Sequence, residues 1–265
     1  MGQKSIREFY DDMGWNLVGD NTTDALINEN FSDVANEYVH KVRGRVGDEL
    51  GSGENLLDIG CGPIQYPEYL EYSRNFDKRI CVDLSKKALE IAKSKIGDHG
   101  VFFVGDYLDI KTGCEPYAGA TLINVLYHVE LNLQEKLVRK VISELAIGAS
   151  LVIVYSNPKS FSSRLTSILV FVKRIFRLLL QRKNFKSQEN PIYFKRHDLD
   201  FWQLFESDCD VKIMAWRTFT PAIEKVFFRK FFMGKKLLNL LFRIEKQNFW
   251  ARIAEYQIVT LKRKS

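Results

Sequence analysis

Between residues 55 and 156, apolar runs of strand length alternate with amphipathic stretches of helix length, and this alternation restricts the fold more than any other feature of the chain. Strands joined through helices lie parallel, because a parallel connection needs a long crossover. The runs Asn55 to Ile59, Arg79 to Leu84, Val101 to Val104, Thr121 to Leu126 and Ser150 to Tyr155 are nearly continuous in Val, Ile and Leu, as expected where helices cover both faces of a sheet. The expectation is an α/β, doubly wound parallel sheet, whose ligands bind outside the carboxyl ends of the strands. A chain of 265 residues accommodates one such domain with insertions. With 46% hydrophobic residues and no polar low-complexity tract, the composition is that of a folded protein.

A single domain is expected over residues 1–265. Residues 1–54 form a helical cap, with helical spacing from Phe31 to Leu50 and a shorter helix from Ser5 to Trp15 closing over the site. Residues 55–156 form the ligand-binding core. Two basic helical insertions follow, 157–200 after the fifth strand and 221–248 between the last two strands, Val211 to Trp216 and Tyr256 to Lys262. Leu199 to Phe205 reads as a short helix.

The most specific motif is Leu56-Leu57-Asp58-Ile59-Gly60-Cys61-Gly62-Pro63, a buried strand opening into a glycine turn that lets backbone approach a ligand. A dinucleotide fingerprint would place a third small residue at position 65, which is Gln65. Pro63 lacks the N–H that a phosphate would use, and Asp58 adds negative charge. Both favour a cationic ligand, such as one carrying an ammonium and a sulfonium. The next strand ends at Asp83, where a carboxylate can accept both hydroxyls of a ribose. The strand after it runs into Asp106 and Tyr107, an acid able to accept an amino group and an aromatic beside it. An acid after a strand is also a frequent helix N-cap, and Asp83-Leu84-Ser85 is compatible with that role.

These residues resemble the class I S-adenosylmethionine-dependent methyltransferases, with a Rossmann-like sheet. The resemblance assigns Asp58, Gly60 and Gly62 to the first motif of the family, Asp83 to the ribose, Asp106 to adenine, and Asn124 through His128 to the segment facing the acceptor. Leu84, Tyr107 and Asn124 are counted with the cofactor contacts. S-adenosyl-L-methionine is the implied cofactor. Ile64 departs from the pattern, standing where many members have a third glycine.

Transfer to an alcohol needs removal of its proton, and His128, just beyond the fourth strand, is the expected general base. His197, in the first insertion, is the second candidate. The bland alternatives are a strand-end or packing role for His128 and a surface role for His197. Tyr10, Tyr66 and Tyr127 are further pocket candidates. His40 and His99 read as structural.

The formal charge of +6 is local: residues 157–188 hold eight Lys/Arg and no acid, and residues 225–246 hold seven Lys/Arg against Glu245. On a helix Leu165, Ile168, Leu169, Val172, Phe176 and Leu179 form an apolar stripe, with Arg164, Arg174 and Arg177 elsewhere on the wheel. Such a helix suits an anionic membrane surface, and Phe227 to Leu238 is of similar kind. The alternative is that these faces bury against the core. No nucleic-acid module is recognisable. Cys61, Cys81, Cys114 and Cys209 lack zinc or disulfide spacing, so no metal is expected and a reducing cytoplasm fits, with the inner membrane face as a peripheral site. The N-terminus lacks the apolar run of a signal peptide, and no run reaches the ~18 residues of a membrane span.

The tail resembles methyltransferases of bacterial surface-polysaccharide pathways, which implies O-methylation of a sugar or glycan hydroxyl, one on a membrane lipid included. The alternatives are a quinone or other lipid-like acceptor and, from a different class, a non-catalytic regulatory or scaffolding subunit. The oligomeric state is left open.

Overall fold

The computed structural model describes residues 7–18, 21–23, 33–164, 193–219 and 234–265. Among them a seven-stranded sheet forms from β1 (Gly53–Ile59), β2 (Phe76–Asp83), β3 (Gly100–Val104), β4 (Tyr117–Ile123), β5 (Leu145–Ser156), β6 (Cys209–Arg217) and β7 (Tyr256–Arg263). Their order is β3-β2-β1-β4-β5-β7-β6. The pairings from β3 through β5 are parallel, and β7 runs antiparallel to both its neighbours. The carboxyl ends of β1 to β6 and the start of β7 therefore share one edge. The chain reverses its direction of travel across the sheet between β1 and β4, which opens a crevice there.

Helices α1 (Asp33–Glu49), α2 (Pro67–Glu71), α3 (Lys86–Ile96), α4 (Leu131–Glu144), α5 (Gly234–Ile244) and α6 (Asn248–Ile253) accompany the sheet. In α4, Leu137, Val138, Val141 and Ile142 recur at helical spacing and are buried, while Glu135 pairs with Arg139 one turn on. Ser85 caps α3 by accepting the Ala88 amide at 3.0 Å, and Gly97 ends it at φ +52°. The core comprises two large clusters: one holds Leu57, Leu122, Ile153 and Trp202, the other Val42, Val154, Leu238 and Ile258.

Two expectations shift. The fourth strand ends at Ile123 and not at Leu126, because Asn124 takes a left-handed φ of +60° and turns the chain into a short helical turn, Leu126–His128. The segment before Trp15 is helical from Arg7 and finishes as a wider turn, Tyr10–Gly14. The apolar stripe of the first insertion, Leu165 to Leu179, lies outside the described residues, as does Phe227 to Met233. The described part of the second insertion, α5, buries Leu238 and Leu241 in the cluster shared with Tyr38, Val39, Val42 and Val46 of α1, while Leu237 and Leu240 are exposed. No described helix is long and apolar enough to cross a membrane.

Two buried ionic networks tie the layers together. Glu245 accepts from Tyr38 Oη at 2.6 Å, Arg45 Nη2 at 3.0 Å and the Thr218 amide at 3.0 Å, joining α1, the end of β6 and the residue after α5. In the sheet centre, Asp58 of β1 accepts from Arg79 Nε and Nη2 of β2 at 2.9 and 2.5 Å and from Thr121 Oγ1 of β4 at 2.7 Å. All three side chains are buried. Removing one member of a buried pair strands the other charge, so Asp58→Ala is expected to cost about 3–5 kcal/mol of stability in chemical denaturation. Adding Arg79→Met should recover part of that loss.

Candidate active site

A cavity of about 360 Å³ opens along the carboxyl edge of the sheet. Its floor is the turn after β1. Gly60 stands at φ +64°, and a Cβ there would collide with the Val125 side chain, so the crossover point closes only with glycine. Gly62 stands at φ +54°, and its amide donates to Asp83 Oδ2 at 2.8 Å, which ties the turn to the tip of β2. Ile64 also holds a left-handed φ of +46°, a conformation costing a β-branched residue roughly 1–2 kcal/mol. Its side chain is buried in a small cluster with Cys61, Cys81, Leu89 and Ala92, which offsets the strain.

Gly60, Gly62, Asp83, Leu84, Asp106, Tyr107, Asn124 and His128 all line this cavity. Asp83 Oδ1 accepts the Ser85 amide at 2.8 Å, so the capping of α3 falls to Ser85 and the Asp83 carboxylate keeps unused lone pairs. Burial pushes the Asp83 pKa up to about 6, against the opposing bonds from the Ser85 and Gly62 amides. Asp106 Oδ1 accepts the Leu108 amide at 2.9 Å. The Tyr107 hydroxyl donates to Glu144 of α4, so this residue offers the cavity its ring and not its oxygen. Asn124 Oδ1 is buried with no hydrogen-bond partner among the described residues. An acceptor atom stranded on a cavity wall calls for a donor from a ligand. Together with the glycine floor, this arrangement fits a nucleoside carrying an ammonium group.

Two expected site residues lie elsewhere. Asp58 is absent from the cavity wall, and its charge is matched by Arg79, so it builds the sheet and does not present a free anion to a ligand. His197 belongs to a second groove with Glu130 and Leu131, where its Nε2 donates to the Leu131 carbonyl at 3.3 Å and its ring stacks on Phe201 at 4.1 Å. The returning insertion segment packs it there: the Lys195 amide donates to the Tyr127 carbonyl at 2.9 Å. Asp58 also lies near Cys61 and Cys81, within 4.8 Å between their potential ligand atoms. Its carboxylate is already engaged there, and a hydrogen bond with Cys81, then burial, hold the Cys61 thiol protonated.

His128 Nδ1 faces the Tyr193 carbonyl at 2.9 Å. A carbonyl only accepts, so Nδ1 carries the proton and Nε2 is left as the basic nitrogen. Burial lowers the His128 pKa, opposed by that hydrogen bond. The neutral form therefore dominates at pH 7.

The remaining walls went unread in the sequence. Arg7, Trp15, Arg43, Gln65, Tyr69, Trp216, Arg217 and Tyr256 line the cavity, beside the anticipated Tyr10, Tyr66 and Tyr127. Trp15 stacks on Tyr10 at 4.7 Å, and the Arg43 guanidinium sits 3.4 Å over the Tyr66 ring. The N-terminal segment is fastened over the site by Ser85 Oγ donating to Asp11 and by Lys87 Nζ donating to the Asp11 carbonyl at 3.0 Å. A signal existed only for Arg43, an arginine at an otherwise apolar position of α1.

Residues 57–153 match the family described as "Methyltransferase domain". No curated protein matches the sequence. Among solved structures, the chain is similar to N-methyltransferase NodS from Bradyrhizobium japonicum WM9 in complex with S-adenosyl-L-homocysteine, with 11% identity, TM-score 0.55, and 97% and 98% of the two chains covered. Magnesium protoporphyrin IX methyltransferase (ChlM) from Synechocystis PCC 6803 with bound S-adenosylhomocysteine gives 14% identity, TM-score 0.57, and coverage of 99% and 100%. A chain of the complex between the Haloferax volcanii Trm112 methyltransferase activator and a methyltransferase gives 11% identity, TM-score 0.57, and 98% of each chain covered. These likenesses show the Rossmann-like methyltransferase fold. The matched region, residues 57–153, is a methyltransferase domain, and its fold is shared with methyltransferases solved with S-adenosylhomocysteine bound.

Ionised Asp83 is the form that accepts hydroxyl donors. With Asp83 holding the ribose, as proposed below, a proton must leave below its pKa of about 6 before that contact forms, so the calorimetric affinity for S-adenosylhomocysteine should be flat above pH 6. Below that value it should fall by up to about tenfold per pH unit. Asp83→Asn should abolish this dependence and weaken binding by about 1–3 kcal/mol.

Proposed function

We propose that this enzyme O-methylates a hydroxyl of a sugar or glycan, with His128 as general base. The observation that carries the reading is the His128 tautomer: Nδ1 spent on the Tyr193 carbonyl leaves a basic Nε2 on a residue of the cavity wall. An amine or thiol acceptor has less need of such a base than an alcohol does. The aromatic walls Tyr10, Trp15, Tyr66 and Trp216 suit the C–H faces of a pyranose. Quinones and other flat lipid-like acceptors fit the same rings and are the runner-up.

The whole chain is read as one methyltransferase domain. Bound S-adenosyl-L-methionine supplies an electrophilic methyl group. Gly60 and Gly62 give its amino-acid portion room, Asp83 and Leu84 hold the ribose, Asp106 and Tyr107 the adenine, and Asn124 Oδ1 accepts a donor at the crossover. Asp58 acts at one remove, through the strand positions it sets. The Tyr193 carbonyl fixes the His128 ring, whose Nε2 receives the acceptor proton. Trp15 and Tyr10 cover the cavity and exclude water.

With labelled cofactor and fractionated polysaccharide, lipid and small-molecule extracts, label should enter a hydroxyl of the carbohydrate fraction. His128→Ala should lower turnover by about 10²- to 10⁴-fold while S-adenosylhomocysteine affinity stays nearly unchanged. At saturating cofactor, kcat/KM for the acceptor should be lost as pH falls through the His128 pKa, below the ordinary 6.5, because only the neutral ring accepts a proton. Normal turnover in the variant would remove the base from the scheme.

A peripheral place on the inner membrane face rests on the sequence of the first insertion. Anionic vesicles should sediment the protein at low salt and release it as salt rises. Replacing Arg174, Arg177 and Arg182 by Glu should reduce that sedimentation, and a wild-type protein that ignores such vesicles would overturn this placement.

A further inference from the structure

The cavity is chemically polarised along the edge of the sheet. Its carboxylates, Asp83 and Asp106, stand at the tips of β2 and β3. At the β6 and β7 end the lining residues are Trp216, Arg217 and Tyr256, with no acid among the described residues that line the cavity there. Arg7 and Arg43 add two further guanidinium groups to the wall.

A distortion of the sheet builds this end. In a regular strand, neighbouring residues point to opposite faces, so Trp216 and Arg217 could not both reach one cavity. The register between β6 and β7 shifts here: Ala215 pairs with Gln257, then Arg217 with Tyr256, which leaves Trp216 as the extra residue of a bulge. Both side chains then line the cavity. Bulges re-aim side chains in this way beside active sites.

The chemistry of the two groups is one-sided. An indole N–H and a guanidinium donate hydrogen bonds and accept none. Trp216 is 5% exposed, and its Nε1 has no hydrogen-bond partner among the described residues. A buried donor on a cavity wall calls for an acceptor from a ligand. Both Arg217 and Trp216 are 7% exposed or less, so a charge meeting them is largely removed from water, where a charge-assisted bond is strong. Tyr256, whose phenol burial and then the neighbouring Glu255 hold protonated while Arg217 acts in the opposite sense, can supply a third donor.

We propose that the methyl acceptor carries an oxyanion, a carboxylate or a phosphate, which binds at the bulged end of β6 to the Arg217 guanidinium and the Trp216 indole N–H. This rests on reading the Asp83 and Asp106 end as the cofactor site. Arg217 and Trp216 are thereby specificity-determining residues. The acceptor is an acidic sugar or a sugar phosphate and not a neutral one. The enzyme acts after the class of reaction that oxidises or phosphorylates a sugar.

The test uses full-length protein saturated with S-adenosylhomocysteine, titrated with glucuronate, glucose 1-phosphate and glucose while tryptophan fluorescence and heat are followed. At least one anionic probe should bind tenfold or more tightly than glucose, and the stronger of the two identifies the oxyanion. Arg217→Gln should bring the anion-to-neutral ratio to within twofold of one, with S-adenosylhomocysteine affinity retained as the measure of intact folding. Arg217→Lys should keep part of the preference, and Trp216→Phe, which preserves the packing and removes only the N–H, should reduce it severalfold. Equal binding of glucose and both anions overturns the inference, as does an unchanged preference in Arg217→Gln. Wild-type protein that binds no S-adenosylhomocysteine overturns the cofactor reading and this inference with it. Cofactor binding without anion preference overturns this inference alone.

Discussion

The buried contact of Asp58 with Arg79 and Thr121 is the constraint on which the rest of the site depends. It joins β2, β1 and β4, the three strands that flank the point where the chain reverses across the sheet. An ion pair in a sheet interior stabilises only when its hydrogen bonds are complete, and here each carboxylate oxygen is engaged. Two residues later the backbone enters its left-handed turn at Gly60, and the Gly62 amide reaches the carboxylate at the tip of β2. The position of that turn relative to Asp83 and Val125 follows from the registers that Asp58 helps to lock.

Around this centre the chain divides its labour by strand position. The two carboxylates of the cavity lie on one side of the crossover, and Trp216, Arg217 and Tyr256 on the other, with His128 carried by the loop after β4. Methyl transfer from a cationic donor profits from that division. In the proposed arrangement the carboxylate end would hold the cofactor, and the donor-rich end would read the acceptor. Local devices supply the polarity: Ser85 relieves Asp83 of capping, and a bulge turns Trp216 and Arg217 to one side.

The doubly wound sheet was legible because its strands are buried on both faces and read as apolar runs, and because Gly60, Gly62, Asp83 and Asp106 fall at strand tips. The roles of individual groups were less so. A sequence cannot tell whether an acid at the end of a strand faces a ligand or a cation on the next strand, and Asp58 was mistaken on that point. His128 and His197 looked alike as histidines near the acceptor loop; the returning segment Tyr193 to His197 orients the first into the cavity and ties the second to Leu131 outside it. The apolar face of the second insertion is in part an ordinary buried contact, since Leu238 and Leu241 of α5 belong to the cluster that α1 also builds.

The sequence by itself determined the layer architecture, the glycine turn and the acids along the strand tips, since these follow from local periodicity and from conformations that few residues tolerate. Only the tertiary structure decided which charges are neutralised, which histidine nitrogen is basic, and which distant side chains share a wall. Arg7, Arg43 and Arg217 are widely separated in the chain, and each could have faced water. Their convergence depends on the register of β6 against β7 and on the seating of α1, long-range contacts whose geometry no local pattern encodes.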